Sequence, residues 1–411
     1  MRSEADGEKD QQDVTLICLQ RLTWHCAPQQ AESERFLFRG STLRSFIPLA
    51  LFCVLGTIGR VDAADWAPLL SPRDQIFPAL ILATANLPDT RSRGTLLIGD
   101  ANGLIGVRVL AAHDHQRVRI SISMPGWLRE SHIDAKLPTA GKRYAIFPTL
   151  AWDFDRLRSL RQPVPETLLF SVRVDDSEAQ QRSVRVRLRS INDVPYFVAS
   201  NKSPTDLSWM FAAYVDEDHP RVNRILTEAL AQRVVKRFDG YQKRDPTSVL
   251  KQVFAIWYVL QKRGIRYSSI TRTGNSNDGV LAQHVRFLDE SWENSQANCV
   301  DGSVLMASVL RKIDLNPSLV LVPGHMLLAF ELAPGGERAY LETTRLDSLA
   351  PDKKGMLDED ASFRSFTAAT KRGYATYQAA AGSFGDMTKP EYQIIDISAA
   401  RALGVVPIGA R

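Results

Sequence analysis

Residues 296–310, QANCVDGSVLMASVL, and 319–332, LVLVPGHMLLAFEL, carry the decisive pattern of this 411-residue chain. Apolar residues from Val300 onward recur at helical spacing, so Cys299 opens a helix and Asn298 is its candidate cap. The positive end of the helix dipole and the unpaired N–H groups of a first turn favour a thiolate there. The second stretch breaks at Pro323-Gly324 into two strand-like runs, and His325 starts the second. A further strand is expected in 338–344, RAYLETT, with Glu342 on it. Adjacent antiparallel strands would bring Glu342 to His325, where a carboxylate fixes the imidazole tautomer and stabilises its cation.

Working upstream, PRVNRILTEALAQRVVKRF (220–238) has helical periodicity. A second helix is expected from Asp245 as cap with Pro246 in the first position, through VLKQVFAIWYVLQKR to Gly264. Downstream, a helix over about 360–381 and a strand plus short helix in YQIIDISAARALGVVPIG complete the pattern. Helices followed by antiparallel strands imply an α+β domain.

The order cysteine, histidine, carboxylate, in QHVRF (283–287), NCVDGSVLMASVL, LVLVPGHMLLAFEL and LETT, resembles the transglutaminase-like superfamily, in particular bacterial exported cysteine peptidase homologues. The likeness covers 205–411, a transglutaminase-like (papain-like) α+β domain. It implies an acyl-transfer enzyme with a Cys299–His325–Glu342 triad, hydrolysing or transamidating peptide or carboxamide bonds. Cys299 would attack the carbonyl, His325 would carry the proton, and Glu342 would orient His325. The backbone N–H of Cys299 and one further donor would hold the oxyanion, with Gln283 and Gln296 as candidates. Glu342 departs from the Asp usual in the superfamily, and its extra methylene must be taken up by the strand register. A catalytically inactive binding or adhesion module is the alternative class. Asp301, two residues into the helix, is read as structural.

The region 93–198 has a different period. GTLLIGD, GLIGVRVLAA, QRVRISISM, RYAIFPTLAW, TLLFSVRVDD and RSVRVRLRSI alternate apolar and polar residues between Gly, Pro, Asp and Asn clusters. An immunoglobulin-like β-sandwich is expected here, closed by a turn and linker at Asn192-Asp193. Residues 64–92 read as a lead-in segment.

Residues 46–59, FIPLALFCVLGTIG, form an uncharged apolar run preceded by Arg39 and Arg44 and followed by Val61-Asp62-Ala63. Basic start, short apolar core and small-residue exit describe a secretory signal over about 36–63 within a leader of 63 residues. The run is too short for a membrane span, so a membrane association would come only through an uncleaved signal. The protein is then expected to be periplasmic or secreted, with a protein or peptide substrate in the cell envelope. Cys18, Cys26 and Cys53 fall in the leader, and Cys299 is the single thiol left. No CxxC pair or phosphate-binding glycine loop occurs, and neither cofactor nor metal is implied. His113 and His115 form only an i, i+2 pair, an incomplete metal site. The net charge of +5 becomes +6 without the leader, too little and too scattered for nucleic acid. Trp209, Trp257 and Trp292 are read as core, and His219 and His284 as structural.

Overall fold

The computed structural model describes residues 65–85, 87, 96–199, 204–268, 274–275, 279–386 and 388–409. The expected leader, with the apolar run 46–59 and Cys18, Cys26 and Cys53, lies outside the described residues. The architecture is mixed α+β with several sheets.

Two sheets fill the first half. Among the described residues, one has strands in the order Trp66–Leu70, Ile105–Leu110, Arg143–Phe147 and Leu97–Gly99. The other runs Gln75–Ile76, Gln180–Leu188, Val164–Val174, Gln116–Met124, Leu128–Leu137 and Ala151–Trp152. Their inward residues meet in one apolar cluster, with Val107, Val109 and Ile146 from the first facing Ile120, Phe170 and Val172 from the second. Strict alternation in Gln116–Met124 gives each residue its face, as a half-buried strand requires.

Three features differ from the expected layout. Trp66–Leu70, inside the expected lead-in, is a full strand in register with Ile105–Leu110. Leu128–Leu137, LRESHIDAKL, is a ten-residue strand that alternation does not reveal, because buried Ser131 interrupts its apolar face. The Ser131 hydroxyl donates to Arg129 O at 2.9 Å and accepts from Ala151 N at 2.9 Å, which lets it lie inside. Finally, Asp193–Val198 is no linker. It pairs with Val280–His284, so the second half claims it. Asn192 donates to Val285 O and to the Glu290 carboxylate, both at 2.8 Å, and Asp193 is paired with Arg189 at 2.9 Å.

The second half is organised by a sheet in the order Arg338–Leu341, His325–Glu331, Pro317–Val322 and Gln393–Asp396, antiparallel throughout. Met326, Leu328 and Phe330 face the large core that the helix Cys299–Lys312 fills with Val304, Leu305 and Val309. Leu327, Ala329 and Tyr340 face the other way, against Ala380 and Tyr377 of the helix Glu359–Ala380. Helix Pro246–Lys262 is capped by Asp245, which accepts from Thr247 N and Ser248 N, and it carries the fully buried Trp257. Trp209 and Trp292 are also buried. The short helix Pro78–Thr84 adds Leu80 and Leu82 to this same core, so the chain between the first two strand pairs reaches into the second half.

Candidate active site

Helix Cys299–Lys312 begins where its sequence says it should. Asn298 has extended backbone, and its side-chain oxygen accepts from Val300 N at 2.8 Å and Asp301 N at 2.9 Å. Asp301 answers from the third helical position, accepting from Asn298 N at 3.0 Å, which completes a capping box. Gly302 N donates to Asn298 O at 3.0 Å. Of the four N–H groups that a helix start leaves unpaired, three are therefore satisfied. The Cys299 N–H has no acceptor among the described residues.

The start of this helix is fixed to the rest of the core by Asp301. Its carboxylate is fully buried and accepts from Arg286 N and the Arg286 guanidinium, both at 2.8 Å. Asp301 thus has a structural role: it holds the cysteine-bearing turn against the chain that follows strand Val280–His284.

His325 is the first residue of its strand, in register with Val322 across the two-residue turn Pro323-Gly324. Proline fixes φ, and Gly324 at φ +67 supplies the left-handed residue that a type II turn needs. The imidazole Nε2 lies 2.7 Å from Glu342 Oε2, and Cys299 is close enough to act on the ring electrostatically. Glu342 stands one residue beyond the strand Arg338–Leu341, rather than on it, and caps the 3-10 turn Thr343–Ser348. Its second carboxylate oxygen accepts from the Thr344 hydroxyl at 2.6 Å and from Thr344 N at 3.3 Å, and its own N–H donates to Ala369 O at 3.2 Å. The extra methylene of glutamate is used here: from a position past the strand end, the longer side chain reaches back to the imidazole.

The Glu342 segment is also tied directly to the cysteine helix. Ser303 Oγ donates to Cys299 O at 2.7 Å and lies 3.1 Å from Thr343 Oγ1. Gly302 permits this approach, since a Cβ there would come within 3.2 Å of Thr343 Oγ1.

The electrostatics follow from these contacts. Burial by itself would lower the His325 pKa, but interaction with the neighbouring Cys299 and Glu342 side chains raises it from the ordinary 6.5 to about 10. The imidazole is therefore held as its cation at neutral pH. Burial pushes Glu342 upward, but the His325 and Thr344 hydrogen bonds outweigh it and hold the carboxyl below its ordinary 4.5. The raised histidine contributes stability that is complete below pH 6.5 and is lost as pH rises toward about 10. The lowered carboxyl contributes stability present above pH 4.5 and lost below it. The difference in urea midpoint between wild type and Glu342→Gln is accordingly expected to peak between those two values and to shrink on both sides. A difference that is flat from acid to alkaline pH would contradict the ion pair.

The Cys299 side chain is partly exposed, as is His325 with 26% of its side chain accessible, so reagents can reach the thiol. The two glutamines expected as oxyanion donors are placed differently. Gln283 is buried in strand Val280–His284, with its amide donating to His284 O at 2.9 Å. Gln296 is exposed, on the short strand Gln296–Ala297 paired with Arg266–Tyr267. Neither has a contact with Cys299 or His325. Tyr267, which sequence reading passed over, lies beside Ala297 instead, and its only signal is its place in the polar run after the Trp257 helix.

Elsewhere, His113 is exposed and paired with Asp175 at 2.9 Å, His219 caps helix Pro220–Ala231, and His284 lies 3.4 Å from Asp193. No group of three metal-ligating side chains occurs among the described residues. No helix among them is long and apolar enough to cross a membrane. Compared with protein-family models, with curated proteins and with solved structures, the chain matches none.

Proposed function

We propose that this protein is an exported thiol acyltransferase or hydrolase of transglutaminase-like type, acting on peptide or carboxamide bonds in the cell envelope, with the first-half sheets as an immunoglobulin-like β-sandwich. One observation carries the reading: His325, hydrogen-bonded to Glu342, stands within electrostatic reach of Cys299, whose helix-start N–H has no acceptor among the described residues. In this reading the Cys299 sulfur attacks the carbonyl carbon, forming the C–S bond as the carbonyl electrons move to oxygen. The oxyanion takes a hydrogen bond from Cys299 N–H. As the C–N bond breaks, the His325 cation gives its proton to the departing amine and becomes neutral. The thioester then passes its acyl group to water, with His325 accepting the proton, or to an amine.

The reading is tested with p-nitrophenyl acetate as an acyl donor. Wild type is expected to release a burst of nitrophenol and to carry an acetyl thioester on Cys299 by peptide mass spectrometry. Cys299→Ala is expected to give neither. Absence of the thioester on folded wild type would overturn the acyl-transfer reading and favour a binding module.

A further inference from the structure

An oxyanion held by the Cys299 N–H alone is weakly bound, so the acyl-transfer reading calls for a second donor. The strand Arg266–Tyr267 runs parallel to Gln296–Ala297, with Tyr267 in register with Ala297, two residues ahead of the nucleophile. Arg266 N donates to Ser295 O at 2.9 Å and Ser268 N to Ala297 O at 3.1 Å, so the pairing is locked on both sides. On its other flank Tyr267 N donates to Asp347 Oδ2 at 3.2 Å, in the 3-10 turn that Glu342 caps. Tyr267 thus stands where the cysteine-bearing and glutamate-bearing segments converge. Tyr267 is 42% exposed.

We propose that the Tyr267 phenol is the second oxyanion donor, a catalytic residue that works with the Cys299 N–H. This rests on the acyl-transfer reading above and replaces Gln283 and Gln296 in that role. A phenol suits the task because its O–H can donate a hydrogen bond without giving up its proton. Burial, together with the negative charge of Cys299, Glu342 and Asp347, raises its pKa above the ordinary 10, so it stays protonated at neutral pH. In the addition step the phenol O–H and the Cys299 N–H both point at the carbonyl oxygen as it gains charge. When the C–N or C–O bond breaks and the carbonyl re-forms, both bonds relax and no proton leaves Tyr267.

The variant is Tyr267→Phe, which removes the hydroxyl and keeps the exposed ring. Two reactions of Cys299 are compared. Acetylation by p-nitrophenyl acetate passes through an oxyanion, whereas alkylation by iodoacetamide displaces iodide and forms none. Acetylation is expected to slow by about 10²–10³, the usual effect of losing one oxyanion donor, while alkylation keeps its wild-type rate. Acetylation at the wild-type rate would overturn the proposal. Equal slowing of both reactions would also overturn it, because Tyr267 would then act on the thiol and not on the oxyanion. If wild type alkylates but never acetylates, the acyl-transfer reading itself fails and this role fails with it.

Discussion

Replacing His325 by alanine is expected to slow alkylation of Cys299 by iodoacetamide about 100-fold at pH 7, the lower end of what a positioned acid–base group contributes. The reagent reads the thiolate directly, without needing a substrate. His325 supplies a cation within electrostatic reach of the sulfur, and the raised pKa of about 10 keeps that cation in place through neutral pH. The effect has a pH signature. The wild-type advantage should fade as pH approaches 10, where His325 loses its proton. Glu342→Gln should retain part of the advantage, since the 2.7 Å contact orients and stabilises the imidazolium without touching the sulfur. Equal rates in wild type and His325→Ala across that range would remove the basis for an activated cysteine.

Asp301→Ala is expected to destabilise the fold by about 3–5 kcal/mol, because removing one member of a buried ion pair strands the other. Asp301 is fully buried and the Arg286 side chain is only 13% exposed, so water cannot replace the lost carboxylate. Two backbone donors, Asn298 N and Arg286 N, would be left unpaired in the same place. Urea unfolding measures the loss directly. The same substitution should loosen the capping box and so reduce Cys299 alkylation even in molecules that remain folded. A loss under about 1 kcal/mol would show that the Asp301–Arg286 contact does not anchor the helix start.

Much of the second half was legible because its signals are local. Asp245-Pro246 marked a helix start and the structure has it there; Asn298 marked another, with a complete capping box. The Pro323-Gly324 turn split one apolar run into two strands. The first half was less legible. Leu128–Leu137 hides a buried serine in its apolar face, and Trp66–Leu70 has only five residues, one of them proline. Asp193–Val198 reads as the end of one sheet, yet it hydrogen-bonds a strand more than 80 residues later. Such pairing leaves no mark in a short window, because the partner strand supplies its reason.

The sequence by itself determined the candidate reactive parts: Cys299 at a capped helix start, a histidine at a strand start and a carboxylate behind it in chain order. Only the tertiary structure decided that they meet. Alternation groups His325 with Leu327 and Ala329, on the face turned away from the cysteine helix, whose contacts are Met326, Leu328 and Phe330. His325 is nevertheless within electrostatic reach of Cys299, from the terminal position of its strand. Glu342 reaches His325 because the chain leaves its strand one residue earlier and turns, held by Thr344 and Ala369. A two-residue parallel pairing sets Tyr267 beside Ala297, two residues before Cys299. Rims, strand ends and short pairings arise from how elements stack, and residue periodicity carries no record of them.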